Sequence, residues 1–338
     1  MNDDRVSVVL ATYDGDRYLG EQLASLMAQR RLPDEVIVID DASTDGTQDR
    51  LEEFAKRAPF PVDLELRSEH LGTWTTFEEG LRRATGDIVL ICDQDDRWRE
   101  DKLAVLTARM AAQPDAMMAF ADARLIDAEG GIIGRSRWRV AGFSPRHSRA
   151  VDLDPFGPLF SRQAVSGCAM AVRAELLSAV LPFPVDVHPA LGPMMYDRWT
   201  SLTAAAVGPV ITVPERLVDY RIHPGQQVGI PALGVRRLAP RTALHAAQLL
   251  HRRVETLRRM EYHLAHLEEI AARLRAAGLA TPASDARLAS AARHLRFRTS
   301  LDRHRLSRVR SVAEEMRRED GYRRFSLGVV SALADLAR

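Results

Sequence analysis

Four short apolar runs, VSVVLATY, EVIVI, VDLEL and DIVLIC, recur through the first 92 residues, and a helix-length stretch separates each from the next. GDRYLGEQLASLMAQ keeps Leu19, Leu23, Leu26 and Met27 at helical spacing. DDASTDGTQDRLEEFAKR supplies turn residues and then an amphipathic helix with Leu51 and Phe54 on one side. TTFEEGLRRAT reads as a third helix, for which Gly86 is the expected C-terminal cap. Strand–helix alternation of this kind predicts an α/β fold: a mostly parallel sheet with helices on both faces. In such sheets ligands collect outside the carboxyl ends of the strands. Here those ends read TYDGD, DDASTDG and CDQDD, all polar and two of them strongly acidic.

The third strand end crowds Asp93, Asp95 and Asp96 into four residues. Like charges so close repel, and a strand end gains nothing from them unless something positive sits there. Asp93 and Asp95, one residue apart in an extended segment, can point the same way. Oxygen ligands of this kind suit Mg²⁺ or Mn²⁺, which can bridge to phosphate oxygens that carboxylates alone would repel. Neither a G-x-x-x-x-G-K-[ST] loop nor a G-x-G-x-x-G follows the first strand, which disfavours a P-loop enzyme or a Rossmann dehydrogenase. In DDASTDGT, Asp45 or Thr44 can cap the following helix. Asp40 and Asp41 are not needed for that, so one of them can accept a hydrogen bond from a base imide or a ribose hydroxyl. Tyr13, at the end of the first strand, either stacks on a base or packs on the sheet.

Beyond the acidic loop, RSRWRVAGFSPRHSRAVDLDPFGPLFSRQ has no period and reads as a long connection or lid. CAMAVRAELLSAV reads as strand then helix, YDRWTSLTAAAV as helix and LVDYRI as strand. After Pro231, Leu250, Val254, Leu257, Leu264, Ala271 and Leu274 keep helical spacing, so residues 231–338 are expected to form a basic α-helical module. From Val235 onward 22 Arg face 11 Asp and Glu, about +11, so the first 234 residues carry about −10. Such helices can pack as a bundle on the front domain, join copies in a homo-oligomer, or lie on an anionic membrane surface, for which GYRRFSLGVVSALADLAR at the end has the best mix of Arg, aromatic and apolar residues. A nucleic-acid partner is not expected, because the acidic front repels phosphates. No apolar run reaches the roughly 18 residues of a membrane span. The first residues lack a signal-peptide pattern. Cys92 and Cys168 make no disulfide framework, so the expected setting is cytoplasmic, with the basic tail able to touch the inner face of the membrane.

Taken together, VSVVLATYDGDRYLGEQLASLMAQ, EVIVIDDASTDGT and GDIVLICDQDDRW resemble, in order, the inverting family 2 glycosyltransferases with their GT-A fold. The form CDQDDRW…DKL is most similar to bacterial rhamnosyltransferase-like enzymes of surface polysaccharide synthesis. The resemblance implies a catalytic domain over 1–230, with a nucleotide-sugar-binding half to residue 110 and an acceptor half over 111–230. It implies that Thr12, Tyr13, Asp41, Asp93 and Asp95 bind the donor, with Tyr13 beside the base and Asp41 on uracil or thymine. Asp93 and Asp95 match the family's Asp-x-Asp metal motif, with Asp96 as a supporting carboxylate. His223, in YRIHPGQ, falls where the family approaches the metal or diphosphate, and Asp197, in YDRW, where it places its general base. Tyr196 departs from the family's Glu-Asp or His-Asp pattern. The implied partners are a nucleoside-diphosphate sugar, dTDP-rhamnose or a UDP-sugar, and a glycan or lipid-linked glycan acceptor. A nucleotidyltransferase would carry a Gly-rich basic loop that ATYDGDRYLG lacks, and a binding-only relative would have lost the acidic loop, which is intact.

Overall fold

In the computed structural model, which describes residues 4–187, 192, 194–226, 245–301, 305–326 and 328–336, the four apolar runs are strands. They are β1 (Val6–Thr12), β2 (Glu35–Asp40), β3 (Val62–Leu66) and β4 (Ile88–Asp93). Between them lie the helices that periodicity predicts: α1 (Asp16–Met27), α2 (Thr47–Arg57) and α3 (Thr73–Arg83). The two-residue strand β5 (Arg97–Trp98) and α4 (Lys102–Ala112) follow the acidic loop. Then come β6 (Met118–Ile126), β7 (Ile132–Ser136), α5 (Arg137–Val140), α6 (Pro145–Leu153), α7 (Phe156–Ser161), β8 (Met170–Arg173) and α8 (Leu177–Val180). α9 (Tyr196–Val207) and the long β9 (Val210–Arg221) complete this part of the chain. The C-terminal helices are α10 (His245–Ala276), α11 (Pro282–Thr299), α12 (Arg305–Arg317), α13 (Tyr322–Phe325) and α14 (Val329–Leu336). The linker after Gln226 and the boundary at Pro231 lie outside the described residues.

All these strands join one sheet, in the order β3-β2-β1-β4-β8-β6-β9-β5, with β7 paired to β6. The front four are parallel, as the βα alternation requires. Past β4 the sheet is mixed: β8 runs antiparallel to both β4 and β6, while β9 is parallel to β6. Register brings Thr12 opposite Asp40, and Ala11 opposite Asp93, so the three polar strand ends finish level with one another.

Side chains alternate across the sheet with period two. Val8, Leu10, Val36, Val38, Ile88 and Leu90 pack under α1, α2 and α4, against Leu23, Phe54 and Leu106. Val9, Ile37, Ile39, Val89 and Ile91 face the other way, into a larger core with α3 and α9. Each such aliphatic side chain contributes about 1.5–3 kcal/mol on burial. The larger core continues into the C-terminal helices. Met260, Leu267, Ile270 and Leu274 of α10, Leu288 and Leu295 of α11, and Phe325 of α13 belong to the same cluster as Trp199 and Phe160.

Three expectations change. The aperiodic middle is no loose lid: α5, α6 and α7 bury Trp138, Phe143, Val151, Phe156, Leu159 and Phe160. Helices of four to nine residues are too short to show a period in sequence. At the chain's end, where the basic tail looked best suited to a surface anchor, Tyr322 and Phe325 point inward. The Tyr322 hydroxyl donates to Asp335 at 2.7 Å. Many tail arginines are paired, among them Arg298 with Asp335, Arg293 with Glu315, Arg296 with Glu268 and Arg324 with Asp154. Among the described residues no helix is long and apolar enough to cross a membrane.

Gly86 does not cap α3, which ends at Arg83 with Ala84 extended. It is needed instead for close approach to β1, because a Cβ there would lie 2.7 Å from the Ser7 nitrogen and 2.8 Å from the Arg5 carbonyl oxygen. Both obstacles are backbone and cannot rotate away. Gly86→Ala should therefore destabilise the protein by about 1–3 kcal/mol in denaturant unfolding; an unchanged midpoint would show that the contact is not constraining.

Candidate active site

The polar strand ends are tied together before any ligand arrives. Thr12 donates its hydroxyl to Asp40 at 2.7 Å and its carbonyl accepts from the Asp41 N–H at 2.9 Å. Asp40 also accepts from Ser43 and Gln48. Gln94, the unremarked residue of DQDD, grips the Tyr13 backbone twice, accepting from its N–H at 2.8 Å and donating to its carbonyl at 2.9 Å. Asp45 caps two helices at once, accepting from Thr47 N at 2.9 Å and from Asp16 N at 3.1 Å. Asp14 and Ala42, at φ of 42° and 64°, turn the two flanking loops.

A cavity of about 630 Å³ opens above these ends. Thr12, Tyr13, Asp41, Asp93, Asp95, Asp197 and His223, all expected from sequence, line it together. They come from the ends of β1 and β4, the loops after β1, β2 and β4, the first turn of α9 and the turn after β9, up to 211 positions apart in the chain. Asp41 is nearly inaccessible, and its carboxylate is saturated. Oδ1 accepts from Arg67 at 3.0 Å and Leu71 N at 2.9 Å, while Oδ2 accepts from Gly72 N at 2.7 Å and faces His70 Nδ1 at 2.9 Å. Burial works against its charge, but the Leu71 and Gly72 N–H groups and Arg67 outweigh that and hold it below the ordinary carboxylate range. His70, half exposed, also lies against Tyr13, ring centroids 4.1 Å apart.

The three crowded carboxylates point three ways. Asp96 turns inward, where its Oδ1 accepts from Arg221 N at 3.0 Å. Asp93 accepts from the Tyr196 hydroxyl at 3.1 Å. Asp95 faces His223, Oδ2 to Nε2 at 2.9 Å. Arg221, fully buried, holds the loop's backbone by donating to the Asp95 carbonyl at 2.8 Å and pairs with Glu21 at 3.0 Å. Beneath them lies Lys102, its ammonium 3.0 Å from the Trp98 ring centroid and 2.5 Å from the Cys168 carbonyl oxygen. Burial pulls that ammonium down to about 7. Burial, then the Asp95 charge, raises Asp93 to about 7. Asp197, at the first turn of α9, is raised by burial, against the opposing Arg198 N–H and the charges of Arg137 and Arg198.

Asp95 and His223 meet on the open side of the loop and Asp93 lines the same cavity, oxygen and imidazole donors of a kind that suits Mn²⁺ or Mg²⁺. Asp93, Asp96 and Cys168 also bring ligand atoms within 4.8 Å of one another. That second grouping faces the interior, where the thiol of Cys168 is pushed up by burial and Lys102 already supplies positive charge. A hard divalent cation is matched better by carboxylate oxygens and an imidazole than by a thiol that burial keeps protonated. Sequence reading missed Gln94, Arg221 and the Tyr196–Asp93 bond. Arg221, two positions before His223, was the one with a local cue. Gly167 is part of the Tyr196 contact, since a Cβ there would sit 2.4 Å from the tyrosine hydroxyl.

A mixed sheet that levels acidic strand ends beneath a broad cavity is the GT-A fold of nucleotide-diphospho-sugar transferases. The sequence profile of glycosyl transferase family 2 matches residues 7–162. An uncharacterized glycosyltransferase of Nostoc sp. is 27% identical over 219 residues, 65% of this chain and 65% of that protein. TarS of Staphylococcus aureus, a poly(ribitol-phosphate) β-N-acetylglucosaminyltransferase, is 32% identical over 101 residues, 29% of this chain and 18% of its own. Its structure with UDP-GlcNAc has a TM-score of 0.54 at 16% identity, covering 92% of this chain and 80% of that one. The mannosyltransferase PcManGT of Pyrobaculum calidifontis, with GDP-Man and Mn²⁺, has a TM-score of 0.51 at 23% identity, covering 100% and 80%. Residues 7–162 belong to glycosyl transferase family 2.

The raised Asp93 carboxyl has a consequence for stability. It holds its proton more tightly in the folded chain than in the unfolded one, where the ordinary value is 3.8. Its contribution is therefore fully present below that value and lost as pH rises through about 7. In chelator, Asp93→Asn should stabilise the protein at pH 8 by on the order of 1–2 kcal/mol, less than the full shift implies because the side chain also meets the cavity. The gain should shrink below pH 6. Thermal melts across that range check it, and a gain independent of pH would refute the assignment.

Proposed function

We propose that the chain transfers a sugar, with inversion, from a nucleoside diphosphate donor to a hydroxyl of a glycan or lipid-linked glycan. The observation that carries this reading is the convergence of Asp93, Asp95, His223 and Asp197 on the cavity that Tyr13 and Asp41 also line. Relatives named for a poly(ribitol-phosphate) acceptor and for GDP-Man with Mn²⁺ support it. In this reading residues 1–230 are catalytic, divided near residue 110 into donor and acceptor halves, and 231–338 are the helical module.

Tyr13 and Asp41 bind and orient the nucleoside, with the loops tied by Gln94 and Asp45 keeping the floor in place. Asp93, Asp95 and His223 hold Mn²⁺ or Mg²⁺, which when bound supplies positive charge to the leaving diphosphate. Asp197 takes the proton from the acceptor hydroxyl. The hydroxyl oxygen forms its bond to the anomeric carbon, and the bond to the nucleoside diphosphate breaks with its electron pair going to the leaving group. A carboxylate raised by burial is a stronger base than one in water, which suits Asp197 to that task. Tyr196 links the base-bearing turn to Asp93, so the two halves of the chemistry share one anchor.

Thermal melts with UDP, dTDP, GDP and CMP, each with Mn²⁺, Mg²⁺ or chelator, test the reading. One diphosphate should stabilise the protein only with metal, by about 2.7 kcal/mol at a concentration a hundredfold above Kd; dTDP would favour a rhamnose donor. That stabilisation should weaken below about pH 7, where Asp93 keeps its proton. Asp95→Ala should abolish it. Asp197→Asn should keep it while turnover falls by roughly 10²–10⁴. Stabilisation by no nucleotide would overturn the reading, and wild-type turnover in Asp197→Asn would move the base elsewhere.

A further inference from the structure

Arg137 stands apart from the arginines around it. Arg67 is committed to Asp41 and Glu79, Arg221 to Glu21 and the Asp95 carbonyl, Arg198 to the Phe160 carbonyl, and Arg124 to Asp219. Arg137 lines the active-site cavity and is only partly exposed, and its guanidinium has no hydrogen-bond or ion-pair partner among the described residues. Among the described residues it is the one arginine or lysine on that wall, where the carboxylates are Asp41, Asp93, Asp95 and Asp197. Its charge is felt by Asp197 and Tyr220, which places it on the base's side of the cavity rather than over Tyr13.

Its direction is set by the backbone around it. Ser136 is buried and its hydroxyl accepts from Arg139 N at 3.2 Å, while Trp138 N donates to Asp122 at 3.0 Å. The Trp138 ring is packed between Phe120 and Phe143, at 5.4 and 4.9 Å between centroids. With both neighbours fixed inward, the guanidinium is presented to the cavity wall shared with Gln163, Ser166 and Asp197. A guanidinium withdrawn from bulk water without a partner is costly, and it offers a planar fork that matches phosphate and carboxylate oxygens.

We infer that Arg137 is a specificity-determining residue for the acceptor, and that the acceptor carries an anionic group, phosphate or carboxylate, near the hydroxyl that accepts the sugar. The inference rests on the transferase reading above, because it is the base Asp197 that defines the acceptor side. Phosphate would come from a phosphodiester polymer or a lipid phosphate, carboxylate from a uronic acid.

The experiment titrates full-length protein, saturated with Mn²⁺ and its best-binding nucleoside diphosphate, with glycerol 1-phosphate, glucuronate and the neutral methyl β-glucoside. At least one anion should bind the wild type and bind Arg137→Gln at least tenfold more weakly, with Arg137→Lys in between. Nucleotide affinity should change less than twofold, and the neutral glycoside should not distinguish the variants. A glycerol phosphate preference identifies a phosphate-bearing acceptor and a glucuronate preference a uronic one. The inference is overturned if neither anion binds the wild type, if Arg137→Gln binds them equally well, or if the nucleotide is weakened as much as the anion, which would assign Arg137 to the donor diphosphate. Failure of the transferase reading shows separately, as wild-type protein that binds no nucleoside diphosphate with Mn²⁺.

Discussion

The ammonium of Lys102, closed in between the Trp98 ring and the Cys168 carbonyl, is the interaction on which the acidic loop rests. Three carboxylates within four residues at the end of a buried strand would spread apart if nothing positive lay beneath them. With Lys102 below, Asp96 can be buried and spent on the β9 backbone, Asp93 can turn to Tyr196, and Asp95 is left for the open side with His223. The arrangement costs desolvation on both signs, visible in Asp93 and Lys102 each being driven to about 7 from opposite directions. A cation–π contact and one carbonyl offset only part of that cost. The rest comes from the packing of α4 and β5 around the lysine, where Trp98, Leu103 and Leu106 are buried.

The same logic extends to the other wall. α9 carries the proposed base at its first turn and then runs straight into the core, with Trp199 fully buried and its indole N–H donating to the Val180 carbonyl at 3.0 Å. The helix α10 covers that face. His266 meets Trp199 edge-on at 6.2 Å, and His263 meets Phe160 at 5.8 Å. Burial and the nearby Arg198 pull His263 down to about 3, so it packs as a neutral ring at physiological pH. The C-terminal helices thus share a core with the segment that positions Asp197, whatever else their basic surface does.

Much of the site was legible because its chemistry is local. Asp93, Asp95 and Asp41 stand at strand ends, and a strand end in a βα sheet is recognisable from a short apolar run followed by turn residues. Five of the seven expected residues, Thr12, Tyr13, Asp41, Asp93 and Asp95, line one cavity because three parallel strands in fixed register bring their ends level. What failed to show were features that depend on contact between distant segments. Gly86 looked like a helix cap and is instead a point where two backbones nearly touch. The middle stretch looked like a lid because its helices are too short to show a period, yet its aromatics fill the core. Tyr322 and Phe325 looked like surface anchors because aromatic residues beside arginines read alike whether they face out or in.

By itself the sequence determined the α/β alternation, the acidic strand ends and the order of motifs that places residues 7–162 in their family. These follow from side-chain periodicity and from residue types adjacent in the chain. Only the tertiary structure decided which carboxylate faces the cavity and which is buried, that Asp41 is already saturated, that Tyr196 ties the first turn of α9 to Asp93, and that the Arg137 guanidinium reaches the cavity without a partner among the described residues. Those outcomes depend on which groups meet across a hundred or more residues of chain, and no local pattern encodes the distance between them.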